Sequence, residues 1–241
     1  MDNICHTLVG AACAEAGLKR STRFGAATLM IAANLPDLDV LVFATDMPSV
    51  AFRRGWTHGV LAQLLLPLLL ALVMMAVGRW RRGDRGAPGA DGRALVLLAY
   101  VGVLSHVGLD YLNTYGIRLL MPFSGRWFYG DTLFIIDPWL WILLGGGIAA
   151  TRRLRREAPA RAGLGVATAY AVVMLIAAQT ARSAVLDAWQ TVHGGPPSAL
   201  MVGPVPVNPF RRDIVVDAGD RYETGTFAWF PTGVRFDART V

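Results

Sequence analysis

The sequence predicts an all-α polytopic membrane protein with about four transmembrane helices, an N-terminal helical hairpin and a small β-rich C-terminal appendage. Three observations carry that prediction. Hydrophobic residues make up 54% of the 241 positions against 17% charged ones, with a mean hydropathy of +0.43, too apolar for an ordinary soluble chain. Several apolar runs approach the roughly 20 residues a helix needs to cross a hydrocarbon core about 30 Å thick. From about Ser183 onward, Pro and Gly punctuate short β-branched and aromatic runs, the signature of strands and turns. The expected division is a membrane-embedded helical domain over 1–185 and an extracytoplasmic β-rich tail over 186–241.

Other classes fall away on composition. High apolar content excludes a disordered chain, and two cysteines, Cys5 and Cys13, cannot staple a secreted mini-protein. Both are read as buried thiols. The formal charge of +6 rests on arginines clustered beside apolar runs, which points to membrane topology and not to nucleic acid.

In chain order, Asn3 to Gly17 and Phe24 to Leu35 read as two short helices joined by the basic turn Lys19, Arg20, Arg23. His6 inside the first apolar stretch, with no basic leader before it, argues against a cleavable signal peptide. Each helix is short for a span, but a hairpin covered by other helices satisfies its own backbone bonds. The four expected spans are Gly59 to Gly78, Ala94 to Leu109, Thr132 to Thr151 and Ala162 to Ala181. The connections Arg79 to Arg93 and Thr151 to Ala162 hold five arginines each, whereas Tyr111 to Asp131 holds only Arg118 and Arg126. Positive-inside bias then places the first two in the cytoplasm and the third outside, with the tail. Within the tail, DIVVD, RYETGTFAWF and GVRF read as strands.

Ionisable residues within or beside apolar helices are costly, so each marks a functional candidate. They are His6, Asp37 and Asp39 in NLPDLD, His58 in RGWTH, His106 and Asp110 in SHVGLDYLNTYG, and Asp137 in IIDP. His106 and Asp110, four apart, share a helical face as two ligands of one metal would. Pro36 ends the preceding helix, and of the two acids after it Asp39 is favoured as the inward one, with Asp37 as a second ligand or supporting group. Thr57 is a candidate N-cap for the helix beginning at His58. Asp137, before Pro138, is read evenly as a helix-capping acid or a catalytic one. Arg53 and Arg54 are weighed as interfacial anchors ahead of phosphate contacts, and His193 as a loop residue.

The order of DNICHTLVG, NLPDLD, RGWTH, SHVGLDYLNTYG, MPFSGRW, IIDP and PVPVNPF resembles the YdjM-type family of bacterial and archaeal inner-membrane metal-dependent hydrolases, also called LexA-binding inner-membrane-associated hydrolases. The resemblance covers nearly the whole chain. It implies a multi-pass protein of the inner (cell) membrane with hydrolase activity. At a greater distance, His6, Asp39, His58, His106 and Asp110 follow a pattern similar to that of the zinc phospholipases C and P1-type nucleases. A second His-x-x-x-Glu pair is missing downstream of Asp110, so one or two ions are expected in place of a full cluster.

The expected function is hydrolysis of a phosphoester or ester of a lipid or lipid-linked substrate at an outward-facing site. Zinc is the first choice and manganese the second, because imidazole suits zinc while a carboxylate-rich site tolerates manganese. The metal ligands would come from His6, Asp37, Asp39, His58, His106 and Asp110. Asp39 or Asp137 would take the proton of the attacking water. Asn113, Tyr115, Arg118 and Arg126, just past the ligands, would meet the substrate head group. The rival expectation is a non-enzymatic membrane protein whose metal is structural and whose tail binds a partner.

Overall fold

The computed structural model describes residues 1–80 and 91–240. Positions 81–90, the middle of the first arginine-rich connection, lie outside the described residues. Asp2 starts α1 (Asn3–Glu15) by accepting from the backbone N–H groups of Ile4 and Cys5, which satisfies two donors that the first helical turn leaves unpaired. After a 3-10 turn over Leu18–Ser21, α2 (Gly25–Ala32) returns antiparallel to α1. Two glycines allow this hairpin its close packing. A Cβ on Gly10 would lie 2.9 Å from the Leu29 carbonyl oxygen, and one on Gly102 would lie 2.4 Å from Ala32 Cβ.

Pro36 falls in the first turn of a 3-10 helix, Leu35–Ala44, bent 48° from α2. The short α3 (Ser49–Phe52) follows, then α4 (Val60–Trp80), α5 (Gly92–Tyr111), α6 (Pro138–Leu154) and α7 (Ala158–His193). Three of these, α4, α5 and α7, are long and apolar enough to cross a membrane, and the bent pair Gly25–Ala32 plus Leu35–Ala44 makes up to four. The span expected from Thr132 begins as a helix only at Pro138. Asp137 caps it, and the N–H groups of Thr132 and Leu133 both donate to Leu112 O instead.

α7 is 36 residues long, or about 54 Å at 1.5 Å per residue, well beyond the hydrocarbon thickness. Its extra length carries the tail. Strands β1 (Ala199–Pro204), β2 (Arg211–Asp217), β3 (Tyr222–Trp229) and β4 (Thr232–Thr240) form an antiparallel sheet in that order. Val202, Ile214, Val216 and Phe227 of the sheet bury against Ala181, Val185 and Trp189 of α7. The expected boundary at 185 therefore falls inside a continuous helix. Arg212 pins the sheet to the helices: it is fully buried and its guanidinium donates to the carbonyls of Asp131, Val202, Thr132 and Met174. Burial lowers its pKa to about 10, so it remains charged at neutral pH.

The two ends of the bundle differ in chemistry. At one end lie His58 before α4, Asp110 near the close of α5, Asp137 before α6, and the sheet. At the other, Arg152 Nε meets Glu15 at 3.0 Å, Arg20 meets Glu157 at 2.7 Å, and Arg161 donates to Ala16 O. The basic turn after α1 and the basic turn between α6 and α7 are thus one surface.

Candidate metal centre

Three separated segments converge at the first end. The 3-10 helix supplies Asp37, the turn before α4 supplies His58, and one face of α5 supplies His106 and Asp110. One ligand atom from each of these four buried residues lies within 4.8 Å of all the others. His58 Nε2 stands 3.1 Å from His106 Nε2 and 3.2 Å from Asp110 Oδ2; His106 Nε2 stands 3.5 Å from that same oxygen and 3.8 Å from Asp37 Oδ1. A tetrahedral ion with bonds of about 2.1 Å separates its ligands by about 3.4 Å, close to these four distances, and all four ligand atoms lie within 4.8 Å of one another.

The remaining ring nitrogens are fixed from behind, as metal-bound imidazoles require. His106 Nδ1 pairs with Ala33 O at 2.8 Å, where α2 gives way to the 3-10 helix. His58 Nδ1 faces Thr57 Oγ1 at 3.0 Å and Asp39 Oδ2 at 3.6 Å. Burial lowers the His58 pKa, which favours the neutral ring a ligand must present.

Asp37 and Asp39 thus exchange the places favoured from sequence. Asp37 joins the four-residue group, whereas Asp39 sits behind His58. Its carboxylate accepts from the Arg54 backbone N–H at 2.7 Å, Thr57 Oγ1 at 3.2 Å and Arg53 Nε at 3.4 Å. Thr57 spends its hydroxyl here, and α4 begins only at Val60.

His6 lies outside the four-residue group but next to it. Its ring stacks on His106 with centroids 3.8 Å apart, and its Nε2 is 3.3 Å from Asp110 Oδ1, the oxygen facing away from His58. Among the described residues neither buried His6 nitrogen has a partner in full hydrogen-bonding geometry. Buried imidazole is costly unless it is paired, and the Asp110 carboxylate is the charged group that His6 Nε2 faces. The Met1 amino group and Asn113 Nδ2 also meet Asp110 Oδ1.

Asn113 and Arg54 support the same carboxylate. Arg54 NH2 lies 3.4 Å from Asp110 Oδ2, while Arg54 NH1 donates to Asn113 Oδ1 at 3.0 Å. Arg54 is buried, so the anchor reading gives way to a place beside the centre, a position that the Arg53–Arg54 pair does not reveal by itself. Tyr115 is 60% exposed, with the Arg54 guanidinium 5.1 Å from its ring centroid. Arg118 donates to Ala51 O and Arg53 O and stacks over Trp127, fastening the loop that carries His58. Arg126 stacks over Phe128; its contacts are with its own loop.

Asp137 occupies a different role. Its carboxylate accepts from the N–H groups of Trp139 and Leu140 and from Tyr170 OH, the contacts of a helix cap. Burial raises its pKa and these bonds oppose the rise. Asp137→Ala is expected to lower unfolding stability by about 1 kcal/mol, the usual cost of a lost cap, and to leave metal content unchanged. Thermal melts and elemental analysis on the same sample check both.

Comparison with known proteins identifies the family. A family model, YdjM inner membrane protein, matches residues 1–181, which includes every residue of the four-residue group. The chain belongs to this family. Among relatives of this YdjM-family chain, Uncharacterized protein YfhP of Bacillus subtilis (strain 168) is 28% identical over 108 residues. That match covers 44% of this chain and 30% of the relative's length. No solved structure matches the chain. The family match ends at residue 181, within α7 and before the sheet.

Proposed function

We propose that the chain is a multi-pass, membrane-bound, metal-dependent hydrolase acting on a phosphoester or ester of a lipid or lipid-linked substrate. The observation that carries this reading is the convergence of Asp37, His58, His106 and Asp110 at ligand-to-ligand distances suited to one divalent ion. Buried carboxylate and imidazole in an apolar bundle cost stability unless paired or metallated. Zinc is the first choice and manganese the second, with His6 and Asp110 Oδ1 offering a second, adjoining position. A divalent ion bound there supplies Lewis acidity, bringing the pKa of water toward neutral and stabilising charge that develops on a phosphoryl or carbonyl oxygen.

The protein's own groups would do the rest. Thr57, backed by Asp39, holds the His58 ring through Nδ1, and Arg54 with Asn113 orients the Asp110 carboxylate. Tyr115, exposed above Arg54, and the loop fastened by Arg118 and carrying Arg126 form the surface on which a head group would rest.

In this reading the shorter α6 crosses beside the membrane-length helices α4, α5 and α7, and the basic opposite end is taken as cytoplasmic, with the metal centre and the sheet on the extracytoplasmic side. An impermeant thiol reagent added to intact cells is expected to label Asp220→Cys and spare Arg153→Cys; the reverse pattern inverts the protein. For the activity, the purified full chain is expected to hydrolyse members of a panel of phospholipids, lipid-linked phosphates and aryl esters, to lose turnover on chelation and to regain it with zinc or manganese. Inactivity of the metal-loaded protein across the panel would favour the second reading, a structural metal. That reading draws on the full burial of His58, His106 and Asp110, since closed coordination marks structural sites and an open position catalytic ones.

A further inference from the structure

The opposite end of the bundle holds a hollow that the hydrolase reading does not use. It has a volume of about 290 Å³ and lies between the Leu18–Ser21 turn, the end of α6 and the start of α7. Its cationic walls are Lys19, Arg20, Arg152, Arg155 and Arg156, and its carboxylates are Glu15 and Glu157.

The pairing of these charges leaves a surplus. Lys19 and Arg152 share Glu15, and Arg20 shares Glu157 with Arg161, which approaches at 2.5 Å. Arg155 and Arg156 have no carboxylate partner among the described residues, so two full positive charges face the hollow unneutralised. The positive end of the α7 dipole adds to them. Leu18 and Leu154, 37% and 59% exposed, flank the basic rim. Apolar side chains beside arginines, next to the start of the membrane-length α7, place the hollow at head-group depth.

We propose that this hollow binds the phosphate of an anionic phospholipid, with Arg155 and Arg156 as the principal contacts. A phosphodiester matches the surplus charge, offers acceptor oxygens to the guanidinium forks, and stays attached to acyl chains that lie against the apolar helices. Basic recesses between membrane helices take anionic head groups by the same physics. The binding would tie the α1 to α2 turn to the α6 to α7 turn, at the end of the molecule away from the metal centre.

The test uses the purified full chain, delipidated in neutral detergent and titrated with mixed micelles of dioleoylphosphatidylglycerol or dioleoylphosphatidylcholine. The phosphatidylglycerol micelles are expected to bind at least about tenfold more tightly. Arg155→Asn/Arg156→Gln should weaken phosphatidylglycerol binding by roughly thirtyfold, from about 1 kcal/mol per basic residue. Arg155 has a left-handed φ of 52°, which asparagine tolerates, so the double variant should keep the wild-type melting temperature. Arg153→Gln, outside the hollow, serves as the control and should bind as wild type does. Equal affinity for the two lipids, or an unchanged phosphatidylglycerol affinity in the double variant, overturns the proposal. Displacement of the lipid by inorganic phosphate at equal concentration also overturns it, because the ligand would then be a soluble anion.

Discussion

Replacing His106 with alanine is expected to lower zinc affinity by about a hundredfold or more. Structural zinc sites contribute about 10–16 kcal/mol in total, so one ligand of four is worth roughly 3 kcal/mol. His106 is well suited to this test because it touches three of the other candidates: its Nε2 lies 3.1 Å from His58, 3.5 Å from Asp110 and 3.8 Å from Asp37. His58→Ala should behave alike. His193→Ala is the control, since His193 stacks on Trp189 near the sheet, with centroids 3.7 Å apart, remote from α5. Competition with a chromophoric chelator measures all three. Equal affinities would remove the basis for the centre.

Asp39→Ala is expected to weaken the same ion by about 10–100-fold, the scale seen when a group supporting a metal ligand is lost. The effect would pass through His58, whose Nδ1 side Asp39 and Thr57 occupy. Asp39→Asn should recover part of the loss, because an amide oxygen still accepts from the Arg54 N–H. Asp37→Ala should cost more than Asp39→Ala. The opposite order would make Asp39 the ligand and Asp37 the support.

That ranking shows where sequence reasoning reaches its limit. NLPDLD announces two acids after a helix end, and either could face inward if the segment is treated as a turn. In a 3-10 helix successive residues rotate by about 120°, so residues two apart diverge, and one acid meets His106 while the other passes behind His58. The His106 and Asp110 pair was legible because helical spacing alone aligns residues four apart. His6 was legible as an ionisable residue in an apolar stretch, but nothing local in DNICHTLVG brings it to α5; the close packing at Gly10 and Gly102 does.

The helices followed the apolar runs closely, and the departures have local causes. α6 starts late because Asp137 and Pro138 are a cap and a first helical residue, and the backbone N–H groups of Thr132 and Leu133 donate to Leu112 O. α7 outruns its apolar core because its polar continuation is buried under the sheet through Val185 and Trp189; Gly194 in the left-handed region, and not the change in composition, ends it. Three strands follow the β-branched runs read in the tail, while β1 begins at Ala199, in a stretch read only as Pro and Gly punctuation. Arg54 was not legible as a partner of Asp110, because burial of an arginine depends on tertiary packing alone.

The most direct test of the metal centre is X-ray absorption at the zinc edge of the loaded protein, together with metal stoichiometry. At least one tightly held ion per chain is expected, coordinated by nitrogen and oxygen only at about 2.0–2.2 Å, with two imidazoles in the ligand set. Absence of a stoichiometric ion, or sulfur ligation at about 2.3 Å from Cys5 or Cys13, would contradict it.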